Sequence, residues 1–195
     1  SVNGGTTWTL GSASTFTLAE ATYAIGALKV RQTDVAGNIQ TSGIGSNTAA
    51  ITVDITAPIT SAALTLTTDT GTNADGITSN GLITISGLDA GSTWEYSVNG
   101  GTTWTLGSAS TFTLVEGTYA IGALKVRQTD VAGNVQITGI GTNATAITVD
   151  STPPTTLATL TLTTDTSASG DGITSNGLIT ISGLDAGSTW EYSVN

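Results

Sequence analysis

The chain has 195 residues, only 9% of them Asp, Glu, Lys or Arg, and its 14 acids against 4 bases leave a net charge of −10. So few bases cannot neutralise a phosphate backbone or an anionic bilayer, so neither nucleic acid nor membrane insertion is expected. Cys and His are absent, which removes disulfides, thiolate nucleophiles, imidazole bases and zinc or haem ligation together.

The charge deficit is filled by 42 Thr, 25 Gly and 19 Ser. At 38% hydrophobic residues the chain is too apolar for a solvated acidic coil. It has no apolar run near the ~18 residues of a bilayer span, and no basic, apolar leader is visible at its start.

Internal repetition organises everything else. Ser-Val-Asn-Gly-Gly-Thr-Thr-Trp opens the chain at Ser1 and returns at Ser97, and Ser-Val-Asn returns again at Ser193. Residues 1–54 match 97–150 at 46 of 54 positions, and 55–99 match 151–195 at 36 of 45. The period is 96 residues without insertion or deletion. That is the size of one β-sandwich domain, and far longer than a solenoid turn or a propeller blade. The seams carry proline, at Asp54-Ile-Thr-Ala-Pro58 and Asp150-Ser-Thr-Pro-Pro154. Proline fixes φ and donates no hydrogen bond, so these segments read as stiff linkers. The expected organisation is the C-terminal part of one repeat (1–54), a complete repeat (55–150) and the N-terminal part of the next (151–195). Either the chain is a window on a longer array, which is the preferred reading, or the partial repeats of neighbouring chains complete each other.

Within the complete repeat the apolar period is 2, with Thr on the solvent side, as in half-buried strands. The first predicted strand is Leu64 to Thr67, followed by a loop with Asp69 and Asp75. The second is Leu82 to Ser86, ending at Gly87-Leu-Asp89-Ala-Gly91. The third runs from Thr93 to Val98, with Trp94, Tyr96 and Val98 on one face and Trp94 as the core anchor. Asn99-Gly100 predicts a two-residue type I′ hairpin turn. Strands follow around Trp104 and Leu106, and at Phe112 and Leu114. A longer strand starts near Tyr119; its inward parity shifts from Tyr119 and Ile121 to Leu124 and Val126, which predicts a bulge at Gly122-Ala123. After the loop Thr129-Asp-Val-Ala-Gly-Asn134, the last strand is Ala146 to Val149. About seven short strands with turns between them argue for an all-β fold of tandem immunoglobulin-like sandwich repeats.

All ten Asp fall in predicted loops or linkers. Asp is a good turn residue, which accounts for each one singly. In a sandwich with alternating strands, however, Asp69 and Asp75 lie at the end facing the next repeat, and Asp89, Asp130 and Asn134 at the end facing the previous one. The linker residues Asp54 and Asp150 sit between. The second junction then gathers Asp69, Asp75, Asp150 and Asp185, and Asp54, Asp89, Asp130 and Asn134 are the further candidate ligands between repeats. Gathered carboxylates repel unless a cation intervenes, and Ca2+, which takes 6–8 oxygen ligands in loose geometry, suits best. The alternative is loops solvated separately and repeats joined flexibly.

Weaker signals are set aside. Asn73-Ala-Asp75-Gly76 resembles part of an EF-hand loop but has Gly71 at a ligand position and no flanking helices. Ser97 to Trp104 resembles a propeller Asp-box with Asn99 in place of Asp. The Thr65-x-Thr67 pattern lacks the short stacked period of ice-binding faces. Asn143-Ala-Thr145 is a glycosylation sequon that its counterpart at Asn47 does not share. Lys125 and Arg127 are expected to pair with Glu95 or Glu116 at the surface. With no nucleophile beside a base and identical loops in every repeat, no enzyme activity is expected.

The linker Asp150-Ser-Thr-Pro-Pro154, the segment Gly87 to Gly101 and the run Glu116-Gly-Thr-Tyr119 to Asn134 together resemble bacterial immunoglobulin-like repeats of giant biofilm-type surface adhesins. The resemblance implies an extender or stalk segment of a secreted or cell-surface protein, with Ca2+ stiffening its junctions and neighbouring repeats as its partners. The other readings are a filament or sheath subunit in which split half-domains of like chains complete each other, and a glycan- or surface-binding module with Thr-rich faces.

Overall fold

The structure is a computed structural model that describes residues 1–194; Asn195, the last residue of the third predicted segment, lies outside them. Sixteen short β-strands and no helix occur among the described residues. The chain divides after Asp150 into a first compact unit, Ser1–Asp150, and a second, Ser151–Asn195.

In the first unit, residues 1–54 contribute β1 (Ala21–Tyr23), β2 (Lys29–Val30), β3 (Gly45–Ser46) and β4 (Ile51–Val53). β1 pairs with β4 and β2 with β3, both antiparallel. Residues 55–150 contribute β5 (Ala63–Leu66), β6 (Ile77–Thr78), β7 (Leu82–Ser86), β8 (Thr93–Ser97), β9 (Thr105–Leu106), β10 (Thr111–Thr113), β11 (Gly117–Tyr119), β12 (Lys125–Thr129), β13 (Gly141–Thr142) and β14 (Ile147–Val149). They form three sheets, ordered β10-β7-β5, β11-β14-β6 and β13-β12-β8-β9. All pairings are antiparallel except β6 with β14. The second unit holds one antiparallel pair, β15 (Thr159–Leu162) with β16 (Ile179–Ser182).

The core follows from alternation. Ile83 and Ile85 of β7, Trp94 of β8, Phe112 of β10, Leu124, Val126 of β12, and Ile147 and Val149 of β14 form one buried cluster with Ala62 and Leu114. Trp94 stands where its parity placed it, and its indole N–H donates to the Ala109 carbonyl at 3.0 Å. Tyr96 stacks on Phe112 with ring centroids 4.2 Å apart. Thr fills the outward positions and pairs across strands: Thr67 with Thr84 at 2.7 Å, Thr118 with Thr148 at 3.2 Å, and, in the second unit, Thr163 with Thr180 at 2.7 Å. Such pairs stabilise a sheet face without charge.

Two local expectations are corrected. The connection after β8 is a longer loop, because β8 and β9 pair only at Glu95↔Leu106 and Tyr96↔Thr105. A type I′ turn needs positive φ at both Asn99 and Gly100; here the positive angles fall on Gly100 (72°) and Gly101 (94°). Asn99 instead closes the loop with its side chain, whose Oδ1 accepts from the Thr103 N–H at 3.0 Å and whose Nδ2 donates to Thr103 Oγ1 at 2.8 Å. The parity shift around Gly122 is a change of sheet, not a bulge. β11 pairs with β14, the chain turns at Ala120–Ala123, and β12 pairs with β8 and β13 in another sheet. The paired strands on the two sides of the turn belong to different ladders, so no common register has to be kept.

Arg127 takes the expected partner. Its guanidinium meets Glu95 Oε2 at 2.7 and 2.8 Å, and also lies over the Trp104 ring, 4.2 Å from the centroid.

Candidate functional site

The polar residues singled out by the sequence lie around the linker entering the complete repeat and around the loops at the two ends of its strands. Asp54 follows β4. Its Oδ1 accepts from the Thr56 N–H at 3.0 Å, and Thr56 Oγ1 lies 2.9 Å from both carboxylate oxygens of Glu20. The Asp54 carbonyl accepts from Asn134 Nδ2 at 3.0 Å. Pro58 is buried, and the Thr60 carbonyl accepts from both Gln128 Nε2 and Gln136 Nε2 at 2.9 Å.

Asn134 is itself held by Asp130. Its N–H donates to Asp130 Oδ1 and its Nδ2 to Asp130 Oδ2, each at 2.9 Å. The side-chain bond from Asn134 is the main cause holding the Asp130 carboxyl below its ordinary value, against the opposing effect of desolvation. Asp89 is tied through its backbone: its N–H donates to Gln128 Oε1 at 2.6 Å, and its carbonyl accepts from Ser92 Oγ at 2.6 Å. Asp54, Asp89, Asp130 and Asn134 are therefore linked through Gln128, Thr60 and the linker backbone.

Gln128 and Gln136 were not anticipated. Both are fully buried, and the Gln128 N–H donates to Gln136 Oε1 at 3.0 Å. Two buried amides are stable only when their donors and acceptors are filled, and the Thr60 carbonyl fills one donor of each. The signal was available: on β12 Gln128 shares the inward parity of Val126 and of Leu124 just before the strand, and a polar residue at an inward position implies a buried partner.

At the other end of the complete repeat, Asp69 Oδ2 accepts from the Gly76 N–H at 3.2 Å and Asp75 Oδ1 from the Ile77 N–H at 2.8 Å. β6 runs parallel to β14, with Ile77 opposite Thr148 and Thr78 opposite Val149. Asp75 therefore precedes this pair, near Ala146, whereas Asp150 follows it, its N–H donating to the Thr78 carbonyl at 2.9 Å. Ala146 and Asp150 are four steps of ~3.3 Å apart along the strand, so Asp75 and Asp150 occupy opposite ends of it. Asp69 Oδ1 is buried without a hydrogen-bond partner. A buried carboxylate oxygen without a donor is what a cation would satisfy.

In the second unit the pattern recurs. Asp165 Oδ2 accepts from the Gly170 N–H at 2.7 Å while its Oδ1 is likewise buried without a partner. Asp171 Oδ1 accepts from the Ile173 N–H at 2.9 Å, and Asp185 accepts from Thr156 Oγ1 and, through its carbonyl, from Ser188 Oγ at 2.7 Å. Among the described residues, no group of three or more Asp, Glu, His or Cys is gathered closely enough to hold a metal ion by such side chains alone. A cation at Asp69 or Asp165 would need backbone carbonyls and hydroxyls to complete its shell.

The sequon residue Asn143 is buried, and its Nδ2 donates to the Ala120 and Thr145 carbonyls at 2.9 and 2.8 Å. In the fold it is a structural amide with its nitrogen engaged.

No protein-family model and no curated protein matches this chain.

Proposed function

We propose that the chain is a structural extender: tandem immunoglobulin-like sandwich repeats forming part of a stalk on a secreted or cell-surface bacterial protein, without catalytic activity. The observation that carries this reading is the exact 96-residue recurrence together with the local structure common to the copies. Asp130 and Asn134 make the same two-bond turn as Asp34 and Asn38. Tyr119 donates its hydroxyl to the Val115 carbonyl just as Tyr23 does to Ala19, both at 3.0 Å. A unit that repeats its chemistry at every period suits spacing and reach, where each module contributes length and mainly contacts its neighbours. The cell-surface location rests on the family resemblance of the linkers and loops.

Calcium is the proposed structural ion. Its support is the donorless oxygen that Asp69 and Asp165 share at equivalent positions. Titration calorimetry of the 195-residue chain with CaCl2 tests this. Binding at millimolar calcium or below, weakened at least tenfold by Asp69→Ala with Asp165→Ala, is expected. An absence of binding at millimolar calcium overturns the calcium assignment, and Asp150→Ala shows whether the linker carboxylate takes part.

A second reading is a filament of chains completing one another, in which the exposed apolar residues of the partial copies would be covered by a like chain. Phe16, Val30, Leu160, Leu178 and Trp190 are exposed, while their counterparts Phe112, Val126, Leu64, Leu82 and Trp94 are buried or half-buried in the complete repeat. Sedimentation velocity over a hundredfold concentration range separates the two: concentration-dependent growth supports the filament, and a constant monomer supports the extender.

A further inference from the structure

Three side-chain amides hold the linker on one side and a carboxylate holds it on the other. Asn134 grips the Asp54 carbonyl, and Gln128 with Gln136 grips the Thr60 carbonyl. On the side of the preceding repeat, Glu20 accepts from Thr56. The gripping groups recur in the first copy with their internal bonds in place. There the Gln32 N–H donates to Gln40 Oε1 at 3.1 Å, and Asn38 Nδ2 donates to Asp34 Oδ2 at 2.9 Å. In that copy they line an open groove of about 470 Å³; in the complete repeat the equivalent amides are occupied by the linker backbone. The Asp–Asn turn and the bond to the second glutamine recur in both copies, while the Gln128 side chain is held in addition by the Asp89 N–H and Ser92 Oγ; what the groove takes is a proline-bearing segment offering carbonyls six residues apart, Asp54 and Thr60. Proline at position 58 keeps that segment extended and lowers the entropy lost on seating it.

We propose that this groove is a receptor for the linker of the preceding repeat, and that the clasp of Asn134, Gln128 and Gln136, closed from the other side by Glu20 and Thr56, fixes the junction through these hydrogen bonds. The proposal deepens the extender reading, and it assigns the stiffness at this junction to hydrogen bonds. A calcium ion near Asp69 or Asp165 would act on a different loop.

The absence of cysteine allows a direct measurement. Thr48→Cys and Thr113→Cys, both exposed and on opposite sides of the linker, give two unique spin-label sites in the 195-residue chain. Double electron–electron resonance should show one narrow distance distribution that excess EGTA leaves unchanged. Thr56→Val and Asn134→Ala should each broaden it at least twofold. Asn134→Ala also loosens its own turn, so Thr56→Val, at an exposed linker residue outside the core, is the decisive variant. A width unmoved by Thr56→Val overturns the clasp. A distribution that broadens on chelation alone also overturns it, while leaving the calcium-stiffened extender standing. The calorimetric failure described above removes calcium and leaves the clasp intact.

Discussion

Residues 1–54 and 97–150 are nearly the same sequence in two environments. Val126 is fully buried and Val30 is 57% exposed; Phe112 is 6% exposed and Phe16 58%. β12 spans five residues and its counterpart β2 only two. The difference comes from residues 55–96, which supply β5, β7 and β8. Five residues of β8 pair with β12, and within residues 1–54 Ser1 plays that part, its carbonyl accepting from the Lys29 N–H at 2.9 Å and its ammonium donating to the Lys29 carbonyl at 3.0 Å. Other features are indifferent to the environment. Leu28 and Tyr23 remain buried, Arg31 lies over Trp8 as Arg127 lies over Trp104, and Asn47 makes the same bonds to Ala24, Leu28 and Ala49 that Asn143 makes to its own neighbours. Groups whose partners lie nearby in the chain form in either copy, and groups whose partners lie in the other half form only when that half is packed against them.

The largest contrast is expected at the core. Phe112→Ala should destabilise the complete repeat by about 3–5 kcal/mol in urea denaturation, whereas Phe16→Ala should stay within about 0.5 kcal/mol. Equal effects would mean that the two copies share a common burial in solution.

A smaller contrast separates two equivalent glycines. A Cβ on Gly107 would lie 2.3 Å from the Trp94 ring, while one on Gly11 has nothing within 4 Å. Gly107→Ala should cost about 1–3 kcal/mol, the usual range for overpacking, and shift the Trp94 emission. Gly11→Ala should be neutral or slightly stabilising. A neutral Gly107→Ala would show that Trp94 does not close over this loop.

The smallest effect sharpens the comparison from the other side, because here the copies should agree. Asn134 and Asn38 each hold their Asp below its ordinary value, mainly through the side-chain hydrogen bond. A lowered folded-state value means that the turn's contribution is complete above the ordinary carboxylate range and is lost as pH falls through the lowered value. In an NMR titration the side-chain amides of Asn134 and Asn38 should both move with midpoints below the ~3.9 of a free Asp. A midpoint at or above that value in either copy would contradict the turn.

Much of the strand pattern was legible in the chain itself. β5, β7, β8 and β14 lie where alternation put them, because period 2 is imposed by the pleat on every strand that buries one face. The ten Asp stand outside strands, and Arg127 meets Glu95 because the two are cross-strand partners. The turn at Asn99 was misread because a dipeptide propensity cannot report that Asn99 bonds Thr103 four residues on. The shift at Gly122 was misread because parity along the chain does not reveal that the chain leaves one sheet for another. Of the candidate site, the acids and Asn134 were found, but the residues that seize the linker, Gln128 and Gln136, were not: their role depends on Thr60, a contact at a separation of 68 residues for the first.

The sequence by itself therefore determined the 96-residue period, the all-β alternation, the proline seams and the short-range polar turns, all of which depend on residues close in the chain or on a repeat visible by inspection. Only the tertiary structure decided how long β12 runs, where the chain changes sheets and what the buried glutamines hold. Those outcomes require surfaces far apart in sequence to meet, and burial, unlike a local hydrogen bond, exists only when the second surface is present.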